Sequence, residues 1–306
     1  MSGLPGLVAD SLERTVRFPE APRLTVHETC SRTVLRSVTG DRRHPYDYAL
    51  ETITRAGDDA HVAVNAAAVL RRELRRRSWH RSTVAIGATG SDPYGHLEER
   101  YRLMPGVVST LAEFETPFAL YTGSDLVLRD LTMLRVVRHA VPTTVVVTVP
   151  CLDVDLCRRV DPDGSSPVER IEAVRRLADA GLAPHVRIAP LLPLLTDSTS
   201  QLDELLGLLA EAGADRVSVS VLVLSDDGYL DWLADEHPAL VRRYRSLYGR
   251  GSYAPADYAV RLRERMAPLV RRHGLERPHD EEVTPVREAA PAVHEQDVGE
   301  QALTLF

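Results

Sequence analysis

The sequence predicts an α/β protein built on parallel strands, and three observations point there. Short apolar or β-branched runs alternate with stretches of helical spacing. No succession of runs suggests an antiparallel meander. Residues 82–104, STVAIGATGSDPYGHLEERYRLM, show the repeating unit in full: an apolar strand, a glycine-bearing polar loop, then the start of a helix. In such folds the loop after the strand carries the chemistry.

Composition sets the outer limits. A chain of 306 residues with 44% apolar content can bury a full core, and it contains no apolar run near the length of a membrane span. The first residues, MSGLPGLVADSLERTVRF, lack a basic segment followed by an apolar one, which argues against a secretory signal and for the cytoplasm. Cys30, Cys151 and Cys157 are too few, and odd in number, for a disulfide scaffold. The net charge is −7, of which residues 275–306 carry −6, leaving −1 on the rest. Within that rest, LRRELRRRSWHR concentrates Arg71, Arg72, Arg75, Arg76, Arg77 and Arg81, a candidate contact for nucleic acid.

Residues 1–22 contain Pro5, Pro19 and Pro22 with little periodicity and read as a leading arm. Residues 24–29 read as a strand ending before Cys30, and residues 31–59 as a long polar loop with a helical piece over 48–56. A short extended piece at 61–65 precedes a helix over 66–77. Clearer units follow: strand 83–88 and helix 98–114; strand 117–122 and helix 126–139, with Ser124 or Asp125 as cap; and strand 143–149, β-branched as expected of a strand buried on both faces. Ser166, Pro167 and Glu169 form a capping arrangement that opens a helix ended by Gly181. Strand 185–189 with helix 200–212, strand 216–224, and helices 229–234, 238–248 and 255–272 complete the folded body. The acidic, proline-bearing residues 275–306 read as a disordered tail.

That makes about six βα units, short of the eight that close a barrel. Periodicity leaves an open doubly wound sheet and a partial barrel both standing. Either places the active surface at the C-terminal ends of the strands. The candidates are then His27, Glu28 and Cys30; Thr89, Ser91, Asp92 and Tyr94; Thr122, Ser124 and Asp125; Cys151 and Asp153; Pro190 and Asp197; Ser225 and Asp226.

Several segments resemble a known group. Through Asp92, Pro93, Tyr94, Glu98, Tyr101 and Leu103, ATGSDPYGHLEERYRL resembles the T-D-P-Y-Q-P-x-E-x-x-Y-x-L-T-R segment of radical S-adenosylmethionine (SAM) proteins related to spore photoproduct lyase. LYTGSDLVLRDLTML resembles their I-x-T-K-S-x-L-V-x-R-D-x-D-x-L segment through Thr122, Ser124, Leu126, Val127, Arg129, Asp130 and Leu134. APLLPLLTDS resembles A-P-I-I-P-G-L-T-D, with Leu194 where glycine is usual. The resemblance implies an α/β partial (β/α)6 TIM-like barrel of parallel strands with C-terminal helices, over residues 23–274. It also implies a SAM pocket at the strand ends, with Thr89, Ser91, Asp92, Tyr94, Asp153 and Pro190 as candidate contacts.

One departure alters the expected chemistry. The group binds a four-iron four-sulfur cluster through C-x-x-x-C-x-x-C, but alignment on Cys30 places Val34 and Ser37 at the other two positions. Valine cannot ligate iron, and a serine hydroxyl is a poor substitute for a thiolate. The cluster is therefore not expected. A rebuilt site using Cys30, Cys151 and Cys157, or a mononuclear one using His27, Glu28, Asp92 and His96, is a weaker alternative.

The terminal peptide QALTLF is similar to the short peptides by which bacterial repair and replication proteins dock on the sliding clamp, with Gln301, Leu303, Leu305 and Phe306 as anchors. The expected function is a SAM- or small-ligand-binding, enzyme-like protein without standard radical chemistry, with a possible association with DNA repair. The alternative is a catalytically silent accessory protein recruited through its C-terminal peptide.

Overall fold

The computed structural model describes residues 14–18, 21–38, 46–56, 58–88, 91–224, 228–249, 251–276 and 304–305. The chain opens with short strands: β1 (Arg14–Phe18), β2 (Ala21–Thr29), β3 (Leu35–Ser37), β4 (Tyr48–Leu50), β5 (Ile53–Ala56) and β6 (Asp59–Ala63). After α1 (Ala66–Leu74), strands and helices alternate. β7 (Val84–Ile86) leads to α2 (His96–Tyr101) and α3 (Leu103–Glu113), and β8 (Phe118–Thr122) leads to a 3-10 turn over Asp125–Asp130 and α4 (Leu131–Val137). β9 (Thr143–Thr148) is followed by α5 (Val154–Val160) and α6 (Pro167–Asp179), and β10 (His185–Leu191) by α7 (Thr199–Glu211). β11 (Arg216–Val221) precedes α8 (Gly228–Glu236), α9 (Pro238–Tyr248) and α10 (Ala256–Arg272), and β12 (Thr304–Leu305) closes the series.

The main sheet has the order β12-β11-β10-β9-β8-β7-β4-β3. From β4 to β11 every neighbouring pair is parallel, while β3 and β12 add antiparallel edges. Six parallel strands in chain order, backed by helices, form the expected partial barrel. Val84, Ile86, Phe118, Leu120, Val145, Val147, Val186, Ile188, Val217 and Val219 join the helices in one apolar core. Because strand side chains alternate, the residues between them turn to the concave face. That face carries small or polar side chains, among them Ala85, Ala119, Tyr121, Arg187, Ser218 and Ser220.

Two expectations about the N-terminal third are corrected. Residues 48–56 are not helical but form β4 and β5, because Ala49 and Leu50 bury on pairing with β7 and the β-branched Ile53 and Thr54 pair with β6. The strand before Cys30 is not a barrel strand, since β2 pairs with β1 and β6 in a separate sheet of order β1-β2-β6-β5. β4 fills the first barrel position instead. Part of the expected leading arm thus forms strand, at Arg14–Phe18 and at the start of β2. The small sheet has its own core, with Leu24, Val26, Ile53, Ala60 and Val62 packed around Leu97 of α2.

Other boundaries shift for local reasons. The helix expected over 98–114 breaks at Arg102 (φ 48°), where the Glu98 carboxylate accepts from the backbone N–H groups of Leu103 and Met104 and so caps α3. α5 was not anticipated; Asp153 caps it by accepting from Leu156 N at 2.9 Å. Ser166 and Glu169 form the expected capping box at the start of α6. Most of the tail expected to be disordered, residues 277–303 and Phe306, lies outside the described residues. Backbone pairing of Thr304 with Ser220 and of Leu305 with Val219 sets β12 against β11.

Candidate functional site

The loop after β7 is tied to the end of β8 through one carboxylate. Asp92 accepts from Tyr94 N at 2.8 Å, Thr122 Oγ1 at 2.7 Å and Gly123 N at 2.6 Å. Thr122 Oγ1 in turn accepts from Ser124 N, and Ser124 Oγ caps the 3-10 turn. Burial pushes the Asp92 carboxyl above its ordinary value of 3.8, although these donors pull it down. Gly87 (φ 74°) makes the close approach possible, since a Cβ there would lie 2.4 Å from Pro93 Cδ and 2.6 Å from Tyr121 O.

Tyr94 leaves this loop in the opposite direction. It is fully buried and donates to Asp130 Oδ2 at 3.0 Å. Arg129 binds Asp130 and Glu98, each at 2.7 Å, and places its guanidinium 5.7 Å from the Tyr94 ring centroid. Ser91 is half-buried beside Asp92. Thr89, Ser225 and Asp226 lie outside the described residues, as do Gln301, Leu303 and Phe306.

At the end of β9, Arg170 reaches in from α6 with no exposed surface. It donates to Ser165 O at 2.6 Å, Thr148 O at 2.8 Å and Asp161 Oδ2 at 2.7 Å. Gly123 and Gly164 make room for it, since a Cβ at either position would come within 2.6 Å of Arg170 or Asp161. Cys151 and Cys157 are buried nearby, and burial pushes the Cys151 thiol up to about 12. Pro190 follows a cis peptide bond within β10. Leu194 holds the left-handed backbone (φ 67°) that suits the glycine usual there. Asp197 accepts from Leu194 N, Tyr258 Oη and Arg265, and so ties the loop after β10 to α10.

The concave face adds residues that strand-end reasoning missed. Register pairs Thr122 with Val147 and Arg187 with Thr148, which puts Arg187 one rung beyond Thr122, level with the ends of β8 and β9. Its Nε donates to Ser220 Oγ at 3.3 Å, and its guanidinium carbon lies 5.9 Å from the Tyr121 ring centroid. Tyr121 donates its phenol proton to Tyr46 Oη at 3.2 Å. The available signal was parity: an arginine between Val186 and Ile188 in a buried strand must face away from the helices.

The residues around Cys30 do not sit at the end of a barrel strand. Cys30 is exposed, and Ser31–Leu35 run as a strap along α1. Ser31 and Asn65 exchange two hydrogen bonds, Arg72 donates to Arg32 O, and the buried Glu73 carboxylate accepts from Thr33 Oγ1 and the backbone N–H groups of Val34 and Leu35. Val34 is buried and Ser37 exposed. His27 stacks on His61 with centroids 4.8 Å apart and lies 3.5 Å from Asp59, while Glu28 accepts from Tyr101 Oη. The expected grouping of His27, Glu28 and Cys30 on the first barrel strand is therefore corrected, because that strand belongs to the small sheet. Of the basic run, Arg71 pairs with Glu113 and Arg81 with Glu115.

Together these features define a partial (β/α)6 barrel of parallel strands. Its mouth is formed by the loops after β7, β8, β9 and β10. A cysteine-to-serine mutant of spore photoproduct lyase shares the fold, with a TM-score of 0.59 and 15% identity over 81% of this chain and 79% of that one. Spore photoproduct lyase complexed with dinucleoside spore photoproduct aligns with a TM-score of 0.54 and 14% identity over the same shares. The chain belongs to the family of the uncharacterized protein Rv2578c of Mycobacterium tuberculosis (strain ATCC 25618 / H37Rv), with 40% identity over 303 residues, 90% of this chain and 89% of the relative. Mb2609c of Mycobacterium bovis matches to the same extent. No family model matches the chain. No described helix is long and apolar enough to cross a membrane.

Proposed function

We propose that this protein binds S-adenosylmethionine or a related small molecule at the barrel mouth and acts on it, or with it, without a four-iron four-sulfur cluster. The observation that carries this reading is the strap of residues 31–35. The segment that would present three thiolates is bound along α1 by Asn65, Arg72 and Glu73, with an apolar side chain, Val34, buried at the second position. Cys151 and Cys157 supply no substitute, since no group of three metal-ligating side chains gathers around them among the described residues. The donor set therefore does not fit the cluster.

In this reading Ser91 after β7, Asp153 after β9 and Pro190 near the end of β10 would hold the small molecule, while Asp92, Thr122 and Arg170 fix the loops beside them. By its resemblance to spore photoproduct lyase, the reading extends to an association with DNA repair in the cytoplasm. Calorimetric titration of SAM into the purified protein, with iron and sulfide assayed on the same sample, tests it. Saturable binding without iron is expected; three or four irons per chain after anaerobic reconstitution would overturn it.

The accessory-protein reading draws on Arg72, Arg75, Arg76 and Arg77, the arginines of the basic run for which no carboxylate partner is found among the described residues. They would give weak, strongly salt-dependent nucleic-acid binding. Recruitment to a sliding clamp through Gln301, Leu303, Leu305 and Phe306 would require release of the β12 pairing with β11. Clamp binding unchanged on deletion of residues 301–306 would exclude that route.

A further inference from the structure

We propose that Arg187 receives an anionic group, a carboxylate or a phosphate, of a small molecule entering the concave face of the barrel, with the Ser220 hydroxyl beside it and the Tyr121 ring against its guanidinium. The inference deepens the small-molecule reading above and rests on it.

Three observations lead there. First, the other arginines of the mouth are all neutralised: Arg129 by Glu98 and Asp130, Arg170 by Asp161, and Arg265 by Asp197. Arg187 has no carboxylate partner among the described residues, only Ser220 and the Tyr121 face. A largely buried cation is ordinarily paired, because the interior solvates charge poorly.

Second, the guanidinium has donors to spare. It carries five N–H donors, of which Nε–H alone is engaged. No fully buried side-chain nitrogen or oxygen among the described residues lacks a partner, so the two terminal nitrogens of Arg187, which make no hydrogen bond, keep some solvent-accessible surface. A planar pair of such N–H groups matches a carboxylate or phosphate in bidentate geometry.

Third, the position suits a ligand. Arg187 stands level with the ends of β8 and β9, while β10 continues past it to Leu191 as a wall. Beside it in register stand Thr148 and Ser218, both short side chains without charge.

The test uses the full-length protein at constant ionic strength, with inorganic phosphate and acetate as probes and SAM titrated on the same preparation. Wild type should show saturable binding of one probe and a rise in thermal midpoint. Arg187→Met should weaken that binding at least about tenfold, the scale of a charge-assisted hydrogen bond, and Arg187→Lys should retain part of it, through its charge but without the bidentate fork. The probe that saturates at lower concentration identifies the group as phosphate or carboxylate. Unliganded Arg187→Met should unfold at or above the wild-type midpoint, because it removes an unpaired cation. A lower midpoint, with binding lost in both variants, would make Arg187 a structural prop and overturn the proposal. Equal binding in wild type and Arg187→Met, or no probe binding at all, would also overturn it. SAM binding that is equal in both, without a probe effect, removes the Arg187 role and leaves the proposed function standing. A probe effect lost in Arg187→Met, without SAM binding, supports the anion site and removes SAM as the ligand.

Discussion

Replacing Arg170 by methionine tests the idea that one buried guanidinium organises the mouth at β9. The change keeps a long side chain but removes three hydrogen bonds, to Ser165 O, Thr148 O and Asp161 Oδ2, from a residue with no exposed surface. Breaking a buried ion pair by removing one partner costs about 3–5 kcal/mol. Asp161 keeps 32% of its side-chain surface, so water recovers part of its solvation and the lower end, about 3 kcal/mol, is expected. With a urea slope of about 3 kcal/mol per molar, the unfolding midpoint should fall by about 1 M. Arg170→Met with Asp161→Asn should recover part of that loss, because the stranded carboxylate is gone. Arg170→Lys should still lose stability, since an ammonium cannot satisfy three acceptors in one plane. A midpoint shift below about 0.3 M for Arg170→Met would refute the reasoning.

Three further outcomes follow from the same geometry. Asp92→Asn should destabilise the fold by about 1–3 kcal/mol, because its amide turns an N–H toward the backbone donors of Tyr94 or Gly123; an unchanged thermal midpoint would count against the clamp. Since burial raises the Asp92 carboxyl, the folded state holds that proton more tightly than the unfolded one. Its stabilising contribution is full below pH 3.8 and is lost as pH rises through the shifted value, so the destabilisation by Asp92→Asn should be larger in acid than at neutral pH, where it remains measurable. Cys30 should alkylate rapidly in the native protein at pH 8, whereas Cys151 and Cys157 should react only in denaturant; three equally fast thiols by mass spectrometry would contradict their burial. Glu73→Ala removes the acceptor of the Val34 and Leu35 N–H groups, so limited proteolysis within residues 31–35 should accelerate, and an unchanged cleavage pattern would show that Glu73 does not hold the strap.

The sequence by itself determined the parallel α/β class, because that information is local. β-branched runs such as Thr143–Thr148 bury on both faces, and the Ser166–Glu169 capping box is written in four consecutive residues. It also places Val34 and Ser37, and no further cysteine, four and seven residues after Cys30. Only the tertiary structure decided which strand opens the barrel. Residues 24–29 read as a strand and 48–56 as helical, and it is the pairing of Tyr48–Leu50 with β7, a contact distant in sequence, that makes β4 the opening strand. The same holds for the charges of the mouth. Arg170 lies in a helix whose other arginines face solvent, so nothing nearby in the chain marks it, and strand parity turns Arg187 away from the helices without telling what it meets there. Arg170 becomes a clamp because Gly123 and Gly164, from two other segments, leave it room, and Arg187 is left without a carboxylate because the strands beside it bring Thr148, Ser218 and Ser220. Burial and pairing are properties of what surrounds a side chain, and most of those surroundings come from elsewhere in the chain.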